Sequence, residues 1–373
     1  MAANPEQSAT PAKDGRSVSN TPYRIAPGCA DALANFKLPA QLGFGLVTAP
    51  VMYSCEFDGK EWGARQLLNY GPLEIYPGAR ALQYAELVFE GMKAYRVGHP
   101  QPNLFRPHAH WQRLANSSTR LSIPVLPESL FMEGVEAMVR ACAPFIPRTT
   151  RQALYLRPFV FGTEPGYLIR NSNTLRYVVI ANPSEVYSAG AMSVAIERHD
   201  ARAANGGTGV AKTGGNYAAS LRASSAAAAR GHHVVLWLDA PEHRYVQELS
   251  GMNLFAVIDG ELHTPELDGT ILPGITRDSL IAIAKRDRIP LHERRIAVDE
   301  LLAQIGSGRC SELFACGTAA IVSPIKQLVD ADGKVYAPAQ VDQKAAVMRE
   351  ALLSIQERRA PDTFGWVHEV PVT

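Results

Sequence analysis

The chain has 373 residues, 46% of them hydrophobic and 20% charged, which is enough for two or three domains with sizeable cores and excludes collagen, coiled coil and wholesale disorder. Lys+Arg 37 against Asp+Glu 36 leaves a net charge of +1, which argues against a nucleic-acid-binding or membrane-binding surface spread over the molecule. The five cysteines, Cys29, Cys55, Cys142, Cys310 and Cys316, show neither CxxC nor zinc-finger spacing. They read as reduced thiols in a cytoplasmic protein, and no metal is expected. The longest uncharged stretch, 38–55, contains Pro39, Gln41, Gly43, Gly45 and Pro50, so it is no membrane span.

Residues 1–22 are polar and rich in Ala, Ser and Pro, without an apolar segment; they read as a disordered tail rather than a signal peptide. A strand is predicted at 52–57, with Asp58-Gly59 as its turn. Helices are predicted at 78–93, 107–123 and 128–145; in the second, Trp111, Leu114, Ser118 and Leu121 recur at helical spacing. Strands follow at 152–161 and 175–181. The run 182–190, Asn-Pro-Ser-Glu-Val-Tyr-Ser-Ala-Gly, reads as an interdomain linker. It divides a smaller N-terminal domain, 23–181, from a larger C-terminal one, 191–373. Beyond it, strands are predicted at 192–196, 233–238, 245–249 and 254–258, the last closed by Asp259-Gly260. Helices are predicted at 216–230, 276–285, 298–305 and 343–356. Interleaved strands and helices with frequent hairpin signals favour two α+β domains with mixed sheets.

The densest unusual segment is 205–217, where five glycines surround Lys212 and Tyr217 follows five residues later. Glycines let the backbone approach a ligand closely. One reading is a phosphate loop, since Gly206 to Thr213 departs from GxxxxGK[ST] only at Ala211. Against it, a β-carbon at Ala211 crowds such a loop, and no strand runs into the glycines. The other reading is a lysine that forms a Schiff base with a cofactor aldehyde; a solvated lysine in a flexible loop is the plain alternative. Elsewhere, Glu248 ends a strand ahead of Gly251, as an acid beside a pyridine nitrogen would. Gly274-Ile275-Thr276 opens a helix whose free amides suit phosphate. Cys316-Gly317-Thr318-Ala319-Ala320 is a small-residue turn, and Arg113 lies in the predicted helix 107–123.

Together these segments resemble the fold-type-IV pyridoxal-phosphate aminotransferases, and within them the branched-chain amino-acid aminotransferases. The resemblance runs from about Gly43 to Val329, through Phe89-Glu90-Gly91-Met92-Lys93-Ala94-Tyr95, Leu104-Phe105-Arg106-Pro107, Tyr155-Leu156-Arg157-Pro158, Glu248, Leu272-Pro273-Gly274 and Gly317-Thr318-Ala319. It implies a two-domain fold and transfer of the amino group of Leu, Ile or Val to 2-oxoglutarate by a ping-pong pyridoxal 5'-phosphate mechanism. D-Amino-acid aminotransferase and aminodeoxychorismate lyase are neighbours in the same fold. By resemblance, Lys212 is the covalent lysine and proton shuttle, Glu248 the ring-nitrogen partner, and Tyr217 the partner of the ring hydroxyl. Arg113, Ile275, Thr276 and Thr318 match the phosphate cup. Thr318 and Ala319 offer amides to the substrate carboxylate. Tyr84, Phe89, Tyr155, Arg157 and Tyr187 match the substrate pocket, with Tyr84 and parts of the 164–169 loop coming from the other subunit of a homodimer. Gly251, Ala320 and Ser323 stand where the mammalian members carry a threonine and a redox cysteine pair, so no thiol switch is expected there.

Overall fold

The computed structural model describes residues 22–185 and 190–372. The predicted N-terminal tail, except Pro22, therefore lies outside the described residues, as does Tyr187 in the predicted linker. Two nine-stranded sheets organise the described chain.

The first sheet runs Arg24–Ile25, Gln66–Asn69, Val51–Phe57, Leu175–Ser184, Ala153–Gly162, Met92–Tyr95, Asn103–Phe105, Val367–Glu369, with Leu87–Phe89 also on Ala153–Gly162. Its core packs against the helix Glu128–Cys142, whose Phe131, Val135, Met138 and Cys142 are fully buried with Tyr53 and Tyr177. The second sheet runs Val246–Leu249, Val234–Leu238, Met192–Ile196, Ile321–Val329, Cys310–Gly317, Asn253–Ile258, Glu261–Pro265, Leu291–Arg294, with Val335–Tyr336 on Ile321–Val329. Parallel and antiparallel pairs occur in both sheets, so the fold is α+β with mixed sheets.

Three expectations change. The predicted helix 78–93 is only Arg80–Tyr84, because Ala85 turns left-handed at φ 53° and ends it. The residues beyond form the strands Leu87–Phe89 and Met92–Tyr95, both paired antiparallel to Ala153–Gly162. Their branched and aromatic side chains gain more on a buried sheet than in a solvated helix. The strand 175–181 continues to Ser184, with Asn182 opposite Tyr155 and Pro183 opposite Leu154, so it enters the predicted linker. Finally, Val367–Glu369 returns to the first sheet, pairing with Asn103–Phe105. A third core cluster joins the two sheets, with Tyr95, Phe105 and Ala153 packed among Phe255, Phe314, Leu280 and Met348.

The Asp259-Gly260 turn has φ 51° and 84° at its two residues, as a two-residue hairpin between right-twisted strands requires. The helix after Gly274 spans Ile275–Arg286, one residue longer at each end than the predicted 276–285.

Candidate active site

A cavity of about 790 Å³ lies between the sheets. Phe89, Tyr155 and Arg157 reach it from the first sheet, Glu248 from the second, Thr276 from the start of the helix Ile275–Arg286, and Thr318 from the turn after the strand Cys310–Gly317.

Lys212 sits where the two meet. Its carbonyl accepts from Phe89 N at 3.0 Å and its own N–H donates to Ser117 Oγ at 2.9 Å. Thr213 Oγ1 donates to Leu87 O at 2.7 Å. The glycine-rich loop is held from within by Asn216, whose Nδ2 donates to Thr208 O and Ala211 O, both at 2.8 Å. Arg120, ending the helix Pro107–Arg120, donates to Gly206 O and Gly207 O at 2.5 and 3.1 Å. These bonds fix the lysine's backbone, so the freely solvated reading does not hold. A phosphate loop does not fit either, since the strand Met192–Ile196 ends well before Gly206.

Lys212 Nζ lies 3.0 Å from Tyr217 Oη and 4.9 Å from the Phe89 ring centroid. Tyr217 and Phe89 rings stand 5.2 Å apart. On the other wall, Arg157 Nη2 donates to Tyr155 Oη at 3.0 Å, its guanidinium 4.7 Å over Phe89. Phe44 meets Tyr155 edge-on at 5.0 Å. The cavity thus has an aromatic wall with one amine and one guanidinium against it.

Glu248 is 4% exposed, and burial pushes its carboxyl up to about 7 against the opposing pull of Arg202. Arg113 is buried, with Nη1 donating to Pro273 O at 3.1 Å and the rest of its fork on Glu90. Ile275 and Thr276 open a twelve-residue helix whose N-cap, Gly274, offers no side-chain cap. A β-carbon on Gly274 would stand 1.9 Å from Asn253 Oδ1, so a larger residue there would displace the Asn253 side chain, whose Nδ2 donates to Leu272 O at 3.1 Å. Lys93 is 3% exposed; burial lowers its ammonium to about 7, and Nζ donates to Ala319 O at 3.0 Å behind the Thr318-Ala319 turn. Cys316 lines the cavity, but burial raises its thiol to about 12, which leaves it unreactive.

The structure gathers Lys212, Arg113, Tyr217, Glu248, Ile275, Thr276, Thr318, Ala319, Phe89, Tyr155 and Arg157 around this one cavity. Tyr84 is not among its lining residues; 44% exposed, it donates from Oη to Tyr167 O at 2.7 Å. Sequence reasoning missed Glu90, Arg202, Lys93 and Phe44. Glu90 and Lys93 stood inside a motif that was read, whereas Arg202 lies in a polar loop with no signal of its own. Away from the cavity, at an edge of the second sheet, Glu261, His263 and His292 bring ligand-type atoms within 4.8 Å of one another. There His263 Nδ1 accepts from Arg294 Nε at 3.1 Å.

Residues 87–328 match the family model for class IV amino-transferases. The branched-chain-amino-acid aminotransferase of Mycolicibacterium smegmatis is 43% identical over 88% of this chain and 92% of that protein. That of Mycobacterium tuberculosis is 41% identical over 87% and 91%. Among solved structures, the branched-chain aminotransferase of Thermoproteus uzoniensis with norvaline has a TM-score of 0.72 at 28% identity, covering 86% of this chain and all of that one. The T.th. branched-chain amino acid aminotransferase complexed with N-(5'-phosphopyridoxyl)-L-glutamate has a TM-score of 0.70 at 29% identity, covering 87% of this chain and all of that one.

Proposed function

We infer that this chain, which belongs to the class IV aminotransferases, moves the amino group of branched-chain amino acids to 2-oxoglutarate. One observation carries the reading: a rigidly mounted amine, Lys212 Nζ at 3.0 Å from Tyr217 Oη, shares a cavity with the buried Glu248 carboxylate and an uncapped helix N-terminus. That donor set fits pyridoxal 5'-phosphate, with an amine for the aldehyde, an acid for the ring nitrogen, and amides and hydroxyls for the phosphate. When bound, pyridoxal phosphate supplies the carbon that takes the amino group and a ring that absorbs electron density.

Lys212 Nζ would hold the cofactor's aldehyde carbon, and its free amine would serve as general base for the proton on the substrate Cα. The same amine would return the proton, and hydrolysis by a water molecule would release the 2-oxo acid and leave the amino group behind. The second half-reaction repeats these moves in reverse with 2-oxoglutarate. Glu248 would keep the proton on the ring nitrogen, and Tyr217 Oη would orient the ring and the amine. Arg113, the Ile275 and Thr276 amides, and the Thr276 and Thr318 hydroxyls receive the phosphate. The Thr318 and Ala319 amides take the substrate's α-carboxylate. Phe89 and Tyr155 enclose the branched side chain, and Arg157 with Tyr155 Oη receives the γ-carboxylate of the acceptor.

The protein acts as a homodimer in this reading. The exposed apolar residues Leu82, Tyr84, Tyr167, Leu168 and Ile169 form the contact, and Tyr84 completes the neighbouring site. Arg80 and Tyr84 already tie the 164–169 loop down through Leu168 O and Tyr167 O, which suits a surface presented to a second copy. The cytoplasm is the proposed location, since all five cysteines are free and buried. Among the described residues, no helix is long and apolar enough to cross a membrane.

Borohydride reduction followed by peptide mapping tests the site, and a panel of amino acids with 2-oxoglutarate tests the reaction. The pyridoxyl label belongs on Lys212; finding it on Lys93 or Lys326 would sink the assignment. Turnover of leucine, isoleucine and valine is expected, and its absence would count against the substrate class.

A further inference from the structure

Beside Glu248 lies Arg202, which is not among the residues lining the large cavity. Its guanidinium forms an ion pair with Glu248 Oε1, and the two side chains are 8% and 5% exposed. Nη2 of Arg202 also donates to Thr270 O at 2.7 Å. Thr270 is held in turn: Gln247 Nε2 donates to its Oγ1 at 2.5 Å, and that hydroxyl donates to Asp268 Oδ1, also at 2.5 Å. The guanidinium is therefore mounted on a braced carbonyl beside the residue that precedes Glu248.

Glu248 has little else to sustain a charge. Leu272 N–H reaches Oε1 at a long 3.4 Å. The other charged groups acting on it are Lys212 and Arg113, both cationic, and both exert less pull than Arg202. Lys212 and Tyr217 share with Arg202 and Glu248 a small cavity of about 20 Å³. Burial favours the neutral carboxylic acid, and the cations favour the carboxylate. A proton shared between a carboxylate and a pyridine nitrogen sits on the nitrogen only while the carboxylate stays charged. Arg, unlike Lys or His, keeps its own charge across the working pH range.

We propose that Arg202 is a positioning residue for the amino-transfer reaction: its guanidinium keeps Glu248 ionised, and so keeps the shared proton on the cofactor's ring nitrogen. This rests on the reading of Glu248 as partner of that nitrogen. No covalent step is added; one proton changes sides of one hydrogen bond.

The test uses holoenzyme loaded with ring-¹⁵N-labelled pyridoxal phosphate, in wild type, R202Q, R202K and E248Q. The glutamine keeps an amide donor for Thr270 O without the charge, and the lysine keeps the charge. In R202Q the ring-nitrogen resonance should move toward its position in E248Q. Its kcat should fall about tenfold or more, the population change that one pKa unit represents, while KM for leucine changes less than about threefold. R202K should restore both, and should lose ring protonation at a lower pH than wild type, because an ammonium titrates where a guanidinium does not. If R202Q does not fold, that move of the R202K midpoint to lower pH carries the test alone, and its absence would refute the role. A ring nitrogen as protonated in R202Q as in wild type, with E248Q deprotonated, would reduce Arg202 to packing. A resonance unmoved in E248Q itself would instead bring down the Glu248 reading, and this proposal with it.

Discussion

Glu90 clasps Arg113 with both carboxylate oxygens: Arg113 Nε donates to Oε1 at 2.7 Å and Nη2 to Oε2 at 2.9 Å. His110 Nδ1 stands 2.7 Å from the same Oε2. The pair fixes the plane of the guanidinium that we assign to phosphate. Burial works against the Glu90 charge, yet Arg113 and His110 hold its carboxyl well below the usual carboxylate range.

Glu90→Gln should therefore destabilise the fold by about 3–5 kcal/mol at neutral pH, the scale for breaking a buried pair from one side. The sign follows from linkage. A carboxyl depressed in the folded state contributes its full stability above the unfolded value, about 4.3, and loses it as pH falls toward the folded value. Denaturant melts of both proteins should show a constant gap from pH 7 to about 5 that narrows below about 4.3. A gap as wide at pH 3 as at pH 7 would mean that the interaction is not ionic.

Gly91→Ala reports on the pocket wall. A β-carbon at Gly91 would stand 1.9 Å from Tyr155 Oη and 2.8 Å from its Cζ, so the ring must move. Moving it breaks the Tyr155 to Arg157 hydrogen bond of 3.0 Å. The strain should cost about 1–3 kcal/mol in stability. If Arg157 and Tyr155 receive the γ-carboxylate, KM for 2-oxoglutarate should rise more than KM for leucine. Equal increases in steady-state assays would remove Arg157 from that role.

Tyr217→Phe keeps the ring against Phe89 and deletes the hydroxyl 3.0 Å from Lys212 Nζ. Losing that hydrogen bond should lower kcat by about tenfold, equivalent to about 1.4 kcal/mol. The borohydride label should stay on Lys212, and the visible absorption of the bound cofactor should shift with the lysine's altered basicity. An unchanged spectrum and turnover would leave Tyr217 as a packing residue.

Tyr84 tests assembly. It lies outside the cavity lining of its own chain, at the end of the short helix Arg80–Tyr84, while Phe89 lines the cavity from the next strand. A Tyr84→Ala chain mixed with a Lys212→Ala chain should form hybrids with one intact site and one doubly damaged site. Activity per intact site should return to near the wild-type value, which neither parent shows. A fully active monomer in sedimentation at assay concentration would overturn the shared-site arrangement.

The sequence by itself determined the parts that are local. Asp259-Gly260 specifies a turn with two positive φ angles through the backbone freedom of adjacent residues, and Gly274-Ile275-Thr276 marks a helix start that is likewise local. The order of motifs from Phe89 to Ala319 was also legible, and it carried the family. What only the tertiary structure decided are pairings between distant residues. Leu87–Phe89 is a strand because Phe161 to Phe159 lies beside it, seventy or more residues away in the chain, and no local pattern announces that partner. Glu90 becomes the clasp of Arg113, and Arg202 the counter-charge of Glu248, for the same reason. A buried charge can be read only once its partner is known, since Coulombic attraction and burial depend on distance in space rather than along the chain.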